Sequence, residues 1–194
     1  MTRTTGTGFA PRTVGFMNMA DQRSGEAFEL GEKLTVLGRK LQPGQAAPRF
    51  ELDHFDGKGI STVRLSDTHG RVRLLSVVNS LDTPVCDAQT RRWADPETVV
   101  PPGVILYTVS MDLPFAQTRW MEAAGAGHVA LSAHRSKDFG IAYGVLIKEW
   151  RMLQRALLVI CRDERVLHAE YVADQMQEPD YAAALGAVRE AAST

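Results

Sequence analysis

The sequence predicts an α/β fold in one domain, a central mixed sheet with helices on both faces. Three observations lead there. The runs "RVRLLSVVN" (71–79) and "GVILYTVSMD" (103–112) are rich in Val and Leu without alternation, as in strands covered on both faces. Each is followed by helix start signals, and such crossovers imply parallel strands. Near the C-terminus, "RALLVICRDERVLHAEYV" (155–172) turns back on itself through a charged segment, which adds an antiparallel edge.

Taken in order, residues 1–30 mix Thr, Gly, Arg and Met without a continuous apolar segment. They are expected to form a flexible N-terminal extension rather than a secretory signal, leaving the domain proper at 31–194. "EKLTVLGRKL" (32–41) reads as a short strand pair turning at Gly38. "PGQAAPRFEL" (43–52) is a loop running into an extended segment, because Pro48 excludes helix for its neighbour. After the first buried strand, "TPVCDAQTRRWA" sets Thr83 as helix N-cap and Pro84 at the first helical position. After the second, Pro114 opens and Gly125 closes a helix within "LPFAQTRWMEAAG". "HVALS" is a short strand and "RSKDFGIAYG" a short helix. The hairpin follows, its turn at Arg162–Arg165, and "EPDYAAALGAVREAA" makes an amphipathic terminal helix with Pro179 near its start. The order β, α, β, α, β, α, β, β, α suits a thioredoxin-like sandwich.

Composition narrows the function. The 22 basic and 23 acidic residues are interspersed, which excludes the electrostatic footprint of a nucleic-acid binder or a polybasic membrane contact. The longest apolar runs, such as Ala156–Cys161, are too short to cross a bilayer. Two cysteines are too few for a disulfide scaffold, and without an export signal both thiols are expected to be reduced, in a cytoplasm. The five histidines are scattered, and His128 and His134 flank a strand with no cysteine or carboxylate at ligand spacing, so no metal site is expected. No Cys-x-x-Cys, nucleophile elbow or dinucleotide loop in its proper context is present.

Cys86 falls at the third helical position. Unsatisfied N–H groups and the positive end of the helix dipole favour a thiolate there. A small buried apolar residue would fit the same place, so position alone leaves a reactive and an inert thiol both open. The Thr83 hydroxyl is expected to cap the helix by accepting from the N–H of Val85 or Cys86, leaving its own hydrogen free for a ligand oxygen.

Six segments carry a resemblance: "LGRKLQPGQAAPRFEL" (37–52), "TPVCDAQTRRW" (83–93), "SMDLPFAQTRW" (110–120), "YGVLI" (143–147), "QRALLVI" (154–160) and "EPDYAAAL" (178–185). Together they resemble the thiol peroxidase branch of the peroxiredoxins, the atypical two-cysteine group, over about residues 32–190. The resemblance implies a peroxiredoxin variant of the thioredoxin-like fold with an N-terminal β-hairpin. It maps the peroxidatic cysteine to Cys86, the active-site threonine to Thr83 and the active-site arginine to Arg155. It implies a reaction in which the Cys86 thiolate attacks hydrogen peroxide or an organic hydroperoxide and becomes a sulfenic acid. It also implies a homodimer and an enzyme without metal, haem or flavin cofactors.

Two positions depart from that family. Asn79 replaces the proline that shields the sulfur, and Met121 stands where most members carry the resolving cysteine. Cys161 is not expected to substitute. It lies six residues beyond Arg155 on what reads as one strand, roughly 20 Å away, and a disulfide needs far closer Cα atoms. The expected cycle is therefore one-cysteine-like, closed by an external thiol, either a thioredoxin-like protein or a low-molecular-weight thiol. The alternative is a degenerate paralogue acting as a redox-sensing or partner-binding module, as loss of both the proline and the second cysteine would suit.

Overall fold

The computed structural model describes residues 21–95, 97, 98 and 100–193. Its centre pairs the first of the runs that lack alternation with the first strand of the C-terminal hairpin. β5 (Arg73–Val77) and β9 (Ala156–Ile160) are buried at every position and lie side by side, antiparallel. Parallel to β5 run β6 (Ile105–Ser110) and then β7 (Val129–Ser132), reached by crossovers through α1 (Pro84–Ala94) and α2 (Pro114–Ala124). β10 (Val166–Tyr171) closes one edge against β9, and β3 (Glu51–Phe55) with β4 (Ile60–Arg64) closes the other against β7. The seven-stranded order is β10-β9-β5-β6-β7-β3-β4.

Alternate residues of β5 and β9 feed two cores. Leu74, Leu157 and Val159 pack under Trp93 of α1 and under Ala184 and Val188 of α4 (Tyr181–Ser193). Leu75, Val77, Leu158 and Ile160 face the opposite side, with Phe50, Tyr143 and Phe139 of α3 (Asp138–Ala142). Phe139 and Tyr143 stack at 4.5 Å between ring centres. Helices thus cover both faces, as expected of a mixed α/β sandwich. Gly125 ends α2 with φ +64°, and its N–H reaches the carbonyls of Met121 and Glu122.

The N-terminal hairpin differs from the expectation. It pairs β1 (Gln22–Glu29) with β2 (Glu32–Leu37) through a turn at Leu30 and Gly31, not at Gly38. Residues 21–30 therefore belong to the fold, and residues 1–20 of the expected extension lie outside the described residues. β1 is hard to read because its alternation is broken by a register shift between Ser24 and Ala27 and because only Ala27 is fully buried. A two-residue strand, β8 (Leu146–Ile147), joins β2 to complete a separate three-stranded sheet. Gly38 has a different task. At φ +88°, a Cβ there would stand 1.9 Å from the Ile141 carbonyl oxygen, so the end of β2 and the end of α3 meet backbone to backbone.

Candidate active site

The site forms where β5 and β6 end and α1 begins, the crevice outside the carboxyl ends of parallel strands. Asp112, just after β6, fixes the connecting loop. Its Oδ1 accepts from Ser80 Oγ at 2.7 Å, and its Oδ2 accepts from Leu81 N and Ser110 Oγ at 2.8 Å each. Helix α1 then starts at Thr83 with Pro84 at its first position, and Cys86 sits in its first turn.

Thr83 does not cap with its side chain. Its Oγ1 donates back to the Ser80 carbonyl at 2.9 Å, so the hydroxyl hydrogen expected to be free is already committed. Its lone pairs remain, and Thr83 lines a cavity.

Cys86 is fully buried, and two side chains meet its sulfur. Arg155 Nη2 donates to Sγ at 3.4 Å, and Sγ stands 3.6 Å from Asn79 Oδ1. Arg155 has no exposed surface either. Its Nη1 donates to Gln89 Oε1 at 2.5 Å and its Nη2 also to the Gln175 carbonyl at 3.0 Å. None of these acceptors is a carboxylate. Of the groups that Arg155 contacts here, the sulfur is the one chemically able to carry a negative charge. Arg155 Nε is buried without a protein partner, which leaves one guanidinium donor uncommitted. Gln89 is itself held by donating to Ser76 Oγ at 2.8 Å, an oxygen that also accepts from Trp93 Nε1 at 2.9 Å.

A cavity of about 430 Å³ opens over this group. Asn79, Thr83, Arg155 and Gln175 give it polar contacts, and Val85, Trp150, Met152 and Met176 give it apolar walls. Glu29 at the end of β1 also lines it, so the hairpin missed in its true position contributes to the site.

The structure thus brings Cys86, Arg155 and Asn79 into contact and sets Thr83 on the same cavity. Met121 is elsewhere. It is buried on α2, and its neighbour Trp120 instead packs against Val78, Leu81 and Cys86, with Nε1 donating to Asp87 Oδ1 at 3.2 Å. Cys161 follows the far end of β9, half-buried, and burial pushes its thiol up from its ordinary range. Both cysteines are free. Gln89 and Gln175 were not anticipated. Gln89 lies three residues after Cys86 on the same helical face, a signal the spacing contains. Gln175 lies in the loop between β10 and α4 and has no local signature.

Comparison with known proteins identifies the family of the chain. The Redoxin family model matches residues 42–185. A thiol peroxidase from Halalkalibacterium halodurans is 46% identical over 162 residues, covering 83% of this chain and 95% of that protein. One from Bacillus subtilis is 41% identical over 152 residues, covering 78% and 89%. Among solved structures, a peroxiredoxin-like protein from Aquifex aeolicus aligns with a TM-score of 0.74 at 29% identity, over 87% of this chain and 96% of that one. A thiol peroxidase from Chromobacterium violaceum aligns with a TM-score of 0.71 at 25% identity, over 84% and 95%.

Proposed function

The chain belongs to the redoxin family, among its thiol peroxidases, and from that premise we propose that Cys86 is the peroxidatic residue, served by Arg155 and Thr83. The protein is a thiol-dependent peroxidase of the peroxiredoxin type, acting on peroxide with a thiol as reductant. The observation that carries the assignment of Cys86 is the 3.4 Å approach of a fully buried guanidinium to a sulfur in the first turn of a helix. Guanidinium and helix N-terminus both favour negative charge on that atom.

The chemistry follows from the donors present. The thiolate attacks the hydroxyl oxygen of the peroxide, forming an S–O bond as the O–O bond breaks. Negative charge builds on the leaving oxygen, which departs as water or an alcohol after taking a proton. The uncommitted Arg155 Nε is a preorganised donor for a peroxide oxygen, and a fixed donor of this kind acts mainly on the charge of the transition state. Thr83 supplies acceptor lone pairs for the peroxide hydroxyl. The apolar wall of Trp150, Met152 and Met176 suits the organic part of a hydroperoxide as well as hydrogen peroxide itself.

Reduction of the sulfenic acid falls to an external thiol, a thioredoxin-like protein or a small thiol. Met121 is a thioether, and Cys161 stands beyond the opposite end of β9 from Arg155. A reducing, cytoplasmic setting fits two free cysteines. A homodimer is supported by Leu113 and Phe115, which are about half exposed at the start of α2 beside Phe55.

Stopped-flow mixing of the reduced protein with peroxide tests the proposal, read by the fluorescence of Trp120 beside the sulfur. The expected result is a second-order reaction far faster than that of a free thiol, abolished in Cys86→Ser. A rate equal to that of a free thiol would leave the site without its function.

A further inference from the structure

Among the described residues, Asn79 is the one uncharged polar side chain hydrogen-bonded to the sulfur, and its orientation is determined. The chain of constraints begins at Arg155, whose backbone N–H donates to Gln175 Oε1 at 3.0 Å. Gln175 must therefore turn its Nε2 the other way, where it donates to the carbonyls of Val172 and Ala173 at 2.8 and 3.1 Å. Gln175 Oε1 and the Leu153 carbonyl then present two acceptors to Asn79. Its Nδ2 donates to them at 3.0 and 2.6 Å. Both amide hydrogens are used, so a flipped amide would set oxygen against oxygen twice. What remains is Oδ1, aimed at Cys86 Sγ from 3.6 Å, in a side chain that is 5% exposed and lines the cavity.

An amide oxygen can accept and cannot donate. Facing a sulfur centre, it stabilises whichever form carries a hydrogen. We propose that Asn79 is a positioning residue for the oxidised enzyme, whose Oδ1 holds the S–O–H hydrogen of the Cys86 sulfenic acid and thereby slows its second oxidation. The inference rests on the peroxidase reading above. In the first oxidation the attacked oxygen keeps its hydrogen, so the product is S–OH and the alkoxide or hydroxide leaves to take a proton. In the second, the deprotonated sulfenate attacks another peroxide, a second S–O bond forms, the second O–O bond breaks, and sulfur ends as sulfinic acid. Arg155, on the other flank of the sulfur, favours the anion that makes this attack. Asn79 opposes it by retaining the proton. A chain with Met121 at the resolving position needs such restraint, because its sulfenic acid must persist until an external thiol arrives.

The test compares the wild-type protein with Asn79→Ala and with Asn79→Leu, which keeps the branched shape but removes the acceptor along with the amide hydrogens. Reduced protein is mixed with hydrogen peroxide in the absence of thiol, and mass spectrometry follows the one-oxygen and two-oxygen adducts of Cys86. Loss of one buried hydrogen bond predicts that the ratio of second to first oxidation rates rises about fivefold in both variants. A general structural defect would slow both steps and leave that ratio alone. An unchanged ratio overturns the proposal. Failure of the wild-type Cys86 to form any one-oxygen adduct overturns the peroxidase reading instead. A measurement on the wild type alone stands if the variants do not fold. Infrared difference spectra of the wild-type protein carrying 13C-labelled asparagine, recorded before and after one equivalent of peroxide, should show the Asn79 side-chain carbonyl moving to lower frequency as its Oδ1 gains a hydrogen bond. An unshifted carbonyl contradicts an acceptor that holds the sulfenic hydrogen.

Discussion

Arg155 must keep its full planar fork to serve this site. Nη1 is spent on Gln89, Nη2 bridges the Gln175 carbonyl and the sulfur, and Nε is left for substrate. Lysine retains the charge but cannot hold three directions at once. Arg155→Lys is expected to lower the second-order rate with peroxide about 100-fold, the size of effect seen when a preorganised donor is lost. Gln89→Ala leaves the cation in place without its Nη1 anchor, and about a tenfold loss is expected from an orientation defect of this kind. Stopped-flow rates for the two variants, compared at equal folded fraction, check both. At this scale the motif was informative and incomplete. The helix start at "TPVC" was legible because residue type and spacing carry it, whereas Arg155 was reached only through the family resemblance. The true bond of Thr83 was not legible, because the competing acceptor, the Ser80 carbonyl, appears only once the loop before α1 is folded. Gln175 was invisible for the same reason, being brought in from a loop 20 residues beyond Arg155.

Elements that form the cavity wall are held by two close backbone approaches. Gly38 meets Ile141 at the end of β2, and Gly144 meets Arg39. Gly144 has φ +64°, and a Cβ there would lie 2.2 Å from the Arg39 carbonyl oxygen, a clash with backbone that cannot rotate away. Gly144→Ala therefore adds left-handed strain to overpacking and is expected to cost about 3 kcal/mol. The small sheet of β1, β2 and β8 carries Glu29 and adjoins Trp150, so peroxide rates should fall along with the urea midpoint, although no group near the sulfur has changed. A normal midpoint would show that the backbone yields at this point. The elements also differ in how readable they were. β5, β6 and β9 announce themselves as runs rich in Leu, Val and Ile, and α1 and α2 by proline at their starts. β1 did not, since its bulge destroys the period of two on which strand recognition depends. β4 escaped because four of its five residues are exposed on an edge, and β8 because two residues hold no pattern.

Across the whole molecule, two buried arginines mark the two ends of the β5–β9 pair and show how differently one residue type is used. Arg73, at the end opposite the site, commits every nitrogen: Nε to Thr68 Oγ1, Nη1 to the Arg71 and Cys161 carbonyls, and Nη2 to the Leu65 carbonyl and Glu164. It is a structural tie, whereas Arg155 retains an unfilled donor beside a cavity. One pH-sensitive contribution to stability sits away from both. His128 precedes β7, and its Nε2 shares a hydrogen bond of 2.8 Å with Thr108 Oγ1 of β6, a residue without exposed surface. Burial pushes this imidazole down from 6.5 to about 4. Between those values the unfolded chain binds a proton that the folded chain refuses, so acid favours unfolding. The contribution of His128 is fully present above pH 6.5, is lost progressively as the pH falls, and is gone below about 4. At about 1.4 kcal/mol per unit, the whole loss is about 3 kcal/mol. Urea unfolding across this window should show wild-type stability declining on the acid side of neutrality. His128→Gln, which can keep a bond to Thr108 but cannot titrate, should flatten the decline. An equally steep decline in the variant would assign the acid sensitivity to other groups.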